Sequence, residues 1–248
     1  MRRLACLILA GLVIGASSVA AQAVDTILVG DSAVRANLLR LGTERVESYR
    51  LEDGEKTPLS TTMRSIGPGR AGNLDVFVID ATHASADGDT TVSSIVIRAS
   101  DFSLLHQRVK GARDSAAVSV SEGHLTGWVV LPEQPIQLLD LEFDRPVFPI
   151  EGQMPWLFPM LPFESGYAAT IPHFSPWAGE ETWAPITVLA SETIEHGGSR
   201  VVCWKVDTGP LGPPGYRGFH WIEQGTGRVL RSVLSGGKSQ PEYWAVAR

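Results

Sequence analysis

NLDVFVID (73–80), TTVSSIVIR (90–98), SAAVSVS (115–121) and HLTGWVVL (124–131) follow one another with only short gaps between them. Each run is rich in β-branched and aromatic residues, and SAAVSVS alternates apolar with polar side chains at its end. Asp87-Gly88-Asp89 separates the first pair, Glu122-Gly123 separates the last, and a shorter mixed run, 104–109, lies between. Strands recurring every ~8–15 residues, with no helix-length segment between them, predict an antiparallel meander rather than βαβ units.

The same reading extends toward the C-terminus. PITVLASETIE (185–195) leads to the His196-Gly197-Gly198 turn, and a second strand follows over 200–207 with Val202, Trp204 and Val206 on one face. The Gly- and Pro-rich run 209–215 interrupts. Residues 217–223 and 228–234 then form a hairpin around Gly225-Thr226-Gly227, and a last strand fits 242–246. Toward the N-terminus the signal fades. Residues 25–65 mix polar and apolar clusters without a clear period, and Leu38-Leu39-Arg40-Leu41 fits a helical turn or a strand equally well. Residues 24–70 are therefore the weakly predicted part of a single β-rich domain, 24–248.

Residues 144–176 differ from everything around them. They hold seven prolines, together with Trp156, Leu157, Phe158, Met160, Leu161 and Phe163. Proline at this density excludes a central strand and a long helix, leaving room for a short helical turn over 154–160. An apolar but irregular segment must pack against something. The expected architecture is a mainly β, strongly curved antiparallel sheet, an unclosed barrel, with the apolar part of this Pro-rich segment, residues 154–163, covering its open side. Met154, Trp156, Leu157, Phe158, Met160 and Phe163 would shield the exposed inner face, and Trp156, Phe158, Met160 and Phe163 are the candidate ligand-binding residues. A plug that never moves and a lid over a ligand site both fit the composition.

The first 23 residues, MRRLACLILAGLVIGASSVAAQA, join Arg2 and Arg3 to an apolar run, Leu4 to Ile14, and a small-x-small site at Ala21-Gln22-Ala23. That is a secretory leader cleaved after Ala23, and it predicts a periplasmic or secreted protein. The apolar run is shorter than the ~20 residues needed to span a bilayer, and no later stretch is long enough. Cys6 precedes most of the run, which excludes lipid attachment after it. Cleavage leaves Cys203 alone, so no internal disulfide forms and packing must supply stability. Cys203 lies in a strand-like run and reads as a buried structural thiol.

The chain of 248 residues is 44% apolar and carries a net charge of −6, with no basic stripe, which argues against a nucleic-acid partner. Catalytic motifs fail in turn. Gly67-Pro68-Gly69-Arg70-Ala71-Gly72 fits G-x-G-x-x-G literally, but Pro68 removes an N–H and a strand follows where a helix is required, so it reads as a loop. Gly237-Lys238-Ser239 lacks the glycine of a phosphate loop, since Ser232 stands in its place. The six histidines have no zinc-pair spacing, and Glu192, Glu195 and His196 read as a solvated turn. There is no G-x-S-x-G elbow. Glu180-Glu181 and the tryptophans leave a secreted hydrolase, acting on carbohydrate, as the alternative. No cofactor, metal or catalytic residue is assigned.

The run VLASETIEHGGSRVVCWKVD followed by GFHWIEQGTGRVLRS resembles the closing strands of an uncharacterised family of bacterial exported proteins, half-barrel domains of unknown function related in shape to periplasmic lipoprotein carriers. The likeness rests on Val188 to Glu192, Gly197-Gly198, Cys203 to Val206 and Trp221 to Arg231. Asp101-Phe102-Ser103-Leu104, Val118, Gly123, Leu125-Thr126-Gly127 and Leu161-Pro162-Phe163-Glu164-Ser165-Gly166-Tyr167 extend it over roughly residues 90–235. The resemblance implies an unclosed barrel with an apolar inner face and no transferable catalytic residue. The resulting expectation is an exported, non-enzymatic binding protein that holds a lipid, another apolar ligand or an envelope-protein segment at its concave face.

Overall fold

The computed structural model describes residues 24–149, 155–212, 214–237 and 240–248. The leader with Cys6, Met154 and Lys238-Ser239 lie outside them. The strands are β1 (Asp25–Thr26), β2 (Gly42–Glu52), β3 (Glu55–Ala71), β4 (Leu74–Ser85), β5 (Thr90–Arg98), β6 (Leu104–Lys110), β7 (Ser115–Ser121) and β8 (His124–Val130). They continue as β9 (Gln137–Glu142), β10 (Phe148–Pro149), β11 (Ala168–Ser175), β12 (Glu180–His196), β13 (Ser199–Pro210), β14 (Arg217–Glu223), β15 (Val229–Ser235) and β16 (Glu242–Ala247).

All of them join one sheet in the order β1-β11-β12-β13-β14-β15-β16-β2-β3-β4-β5-β6-β7-β8-β9, with β10 also on β11. The meander read from the sequence comes in two blocks, and the antiparallel β16–β2 pair, with Ala245 opposite Ser48, stitches them together. The sheet curls until its ends meet, yet they share no ladder. Leu104 N–H donates to the Val147 carbonyl at 2.9 Å, Arg145 reaches Glu181 at 2.5 Å, and Phe143 packs edge-on against Phe174. The molecule is mainly β, and its curved sheet is not closed into a barrel.

Two expectations about proline and glycine need correction. The proline-rich segment was expected to exclude a strand, but Ala168–Ser175 forms β11 with Pro172 inside it. The reason lies in the ladder. β1 pairs with Ala169 and Thr170, β10 pairs with His173 and Phe174, both parallel, and Pro172 falls in the gap between them, where no partner asks for its missing N–H. Residues 67–71 likewise are not a loop but the end of β3. The β2 ladder stops at Gly42 opposite Ile66, so from Gly67 onward β3 is paired only with β4, and Pro68 is tolerated on the free side.

Alternation places Ile79, Ile95, Ile97, Leu125, Ile171, Val206 and Ile222 on the inner face, in one buried cluster with Trp156, Leu157, Phe158 and Met160. Burying side chains of this size contributes about 1.5–3 kcal/mol each. The opposite face of β12 to β15 carries a smaller cluster of Ile194, Cys203, Trp221, Leu230 and Val233. Cys203 is fully buried there and its thiol is pushed up to about 11 by burial, so it is a structural group and no nucleophile. No helix among the described residues is long and apolar enough to cross a membrane.

Candidate functional site

The proline-rich segment lies inside the curl. Its prolines keep the chain out of the ladder, and it folds instead into a 3-10 turn, Phe158–Met160, closed by Met160 N–H on the Leu157 carbonyl at 3.0 Å. Arg35 N–H donates to the Met160 carbonyl at 2.9 Å, which ties the turn to the N-terminal segment. Gly227 in the β14–β15 turn presses against Pro159 so closely that an added Cβ would stand 2.5 Å from its Cα.

All four candidate binding residues sit on this segment, in different settings. Met160 is enclosed in the core at 0% exposure. Trp156 and Phe158 are 3% and 1% exposed, and each borders a cavity. Phe163 is half-buried, packed on Phe158 and edge-on against Tyr167, beside a small cleft of about 110 Å³. The segment divides the interior into two chambers.

The chamber on the Phe158 side holds about 240 Å³ and is walled by Ala184, Pro185, Ile186, Pro210 and Leu211. The β12–β13 ladder ends at Thr187 opposite Asp207. The N-terminal half of β12 therefore has β11 on only one side, and the chamber opens along its free edge, with half-exposed Trp183 at the mouth. Two hydroxyls interrupt the apolar wall, and each is backed by a buried imidazole. Thr182 Oγ1 lies 2.7 Å from His173 Nε2, and Thr208 Oγ1 lies 3.3 Å from His220 Nε2. Phe158 meets the His220 ring edge-on at 4.9 Å. Burial pushes the His220 imidazole down to about 4 and lowers His173 as well, so both rings are neutral at pH 7. An apolar chamber with a few fixed hydrogen-bonding groups is the ordinary form of a small-molecule site.

The chamber on the other side of the segment, beside Pro155, has a mixed wall in which Val229 and Ala247 stand among polar groups. About 230 Å³ is enclosed by Val46, Ser48, Thr62, His83, Ser232 and Ala245, with Glu44 and Arg64 at its border. Arg64, with its side chain only 11% exposed, pairs with Glu44 at 3.2 Å. Thr62 and His83 are hydrogen-bonded at 3.0 Å on the same wall.

The hydrolase alternative finds one pair, Ser232 Oγ and His220 Nδ1 at 2.8 Å. The second ring nitrogen faces Thr208 rather than a carboxylate, and a ring held near 4 does not take a proton at neutral pH. Glu181 is committed to Arg145, and Glu192 accepts from Lys205 and Trp221 Nε1. No cluster of metal-ligating groups occurs among the described residues. His173, Thr182, Thr208 and His220 escaped the sequence reading because they are far apart in the chain. Their only signal is a shared inward phase, which is visible once the register is known.

No family model matches the chain, and no curated protein matches it. Among solved structures it is similar to a beta-barrel-like protein of domain of unknown function DUF1849 from Brucella abortus, with a TM-score of 0.49 and 11% identity. The alignment covers 85% of this chain and 97% of that one.

Proposed function

We propose that this protein is an exported, non-enzymatic binding protein that holds an apolar ligand, such as one chain of a lipid, in the chamber beside Phe158. The observation that carries this reading is the chamber itself: about 240 Å³ of apolar space inside a filled sheet, opening along a free strand edge. A dry cavity of ~150 Å³ already admits benzene, so this one takes a somewhat larger group or the end of a lipid chain whose remainder leaves through the open edge. Thr182 and Thr208 give its polar atom two hydroxyls whose partners stay uncharged. The leader-like first 23 residues support export.

The test uses the neutral apolar dye N-phenyl-1-naphthylamine. Ala184→Phe fills the chamber from a half-buried wall position. It should weaken dye binding by about tenfold or more while leaving the melting temperature nearly unchanged. Undiminished dye binding in this variant overturns the assignment. Mass spectrometry of a denaturing extract should show co-purified lipid.

A further inference from the structure

We propose that the Trp156 side of the interior contains a second site, separate from the apolar chamber, that binds an oxyanion of the phosphate or carboxylate type. A cavity of about 150 Å³ adjoins the mixed-wall chamber and is bordered by Arg40, Arg64, Arg228 and Arg248 with Glu44. Four arginines bordering one cavity run against the −6 charge of the chain. Among the described residues, two acids meet these arginines. Glu44 serves Arg64 at 3.2 Å and stands 3.9 Å from Arg228, and Glu47 holds Arg248. Arg228 also donates to the Arg248 carbonyl, and exposed Arg40 makes no ion pair among the described residues.

The second observation is independent of charge. Trp156 borders the same cavity, is 3% exposed, and its indole N–H has no hydrogen-bond partner among the described residues. A buried donor without a partner is costly, and an oxyanion accepts from it and from planar guanidinium forks together. Free phosphate and a phospholipid headgroup share this chemistry.

The experiment is calorimetric titration of the full chain at low salt with inorganic phosphate and, separately, with dihexanoyl phosphatidate below its micelle concentration. At least one probe should bind. Phosphate binding marks a free ion as a ligand, and phosphatidate binding alone marks a headgroup. Arg228→Gln should weaken binding by about tenfold or more, and Arg40→Gln and Trp156→Phe by several-fold. Arg70→Gln, at an exposed pair with Asp75 elsewhere on the sheet, serves as the unaffected control. Arg40 is exposed, so its replacement leaves the fold intact. If neither probe binds, or if binding is unchanged in Arg40→Gln and Trp156→Phe, the site does not exist. The naphthylamine dye reports on the other chamber, so the two proposals fail separately.

Discussion

Phe158 and Trp156 stand two residues apart on one buried segment and face chambers of opposite character. On the Phe158 side the sheet presents Ala184 and Ile186 around a chamber of about 240 Å³. On the Trp156 side the wall presents Glu44, Arg64, Thr62 and Ser232, and space remains. An apolar segment pressed onto Glu44 and Arg64 would strip them of water, at several kcal/mol per ion. The two sides keep chambers of nearly the same size, about 240 and about 230 Å³, and what separates them is the chemistry of the wall: apolar with two hydroxyls on one side, lined in part by an ion pair on the other.

The largest test of that contrast is truncation on the two sides. Phe158→Ala should cost roughly 3–5 kcal/mol in urea denaturation, and Val46→Ala, facing the mixed-wall chamber, about 1 kcal/mol. Equal losses would break the comparison. Next in size is pH. The unfolded chain protonates His220 near 6.5 and the folded chain only at about 4, so between these values the unfolded state binds more protons. The stability due to His220 is complete above pH 6.5 and falls by roughly 3 kcal/mol as pH drops toward 4. His173 is shifted in the same direction. His220→Gln should flatten the dependence, and an unaltered slope in that variant would show that the Phe158 side is wetter than its geometry implies. Smallest is the seam between turn and segment. Gly227→Ala, at φ +68 with Pro159 in the way, should cost roughly 2 kcal/mol. Gly225→Ala, at φ +89 in open space, should cost about 1 kcal/mol. Matching losses would mean that the turn does not bear on the segment.

How much was legible beforehand follows the same division. The period of two is visible only where one face of a strand is apolar. It shows in SAAVSVS, which is β7 residue for residue, and in the 217–223 and 228–234 hairpin, which matches β14 and β15 to within a residue. It vanishes in β2, where inward Glu44, Val46 and Ser48 alternate with outward Arg45, Glu47 and Tyr49, because both faces are polar. The stretch that resisted reading, 25–65, contains β2 and most of β3, two of the strands that wall the mixed-wall chamber. β11 was lost for another reason: Pro172 argues against a strand unless its neighbours are known to leave a gap. The candidate residues were found as a segment, because composition marks it. Their partners were not, because Thr182, Thr208 and His220 meet only through register.

The arrangement around Pro172 also makes the two ends of the sheet unequal as surfaces for further assembly. At one end β1 and β10 already occupy the edge of β11, and the proline between them offers no donor, so another chain cannot lengthen the sheet there. At the other end, among the described residues, β9 is bonded only to β8, and Leu138 within it is 82% exposed. Extension of the sheet can thus run in one direction only. A second copy pairing antiparallel along β9 in the register centred on Leu141 would set Asp140 opposite the Glu142 of its neighbour, a like-charge pair of the kind by which natural edges resist fibre growth. Those two acids are the stop at the open end, and neutralising both would turn that edge into a seed.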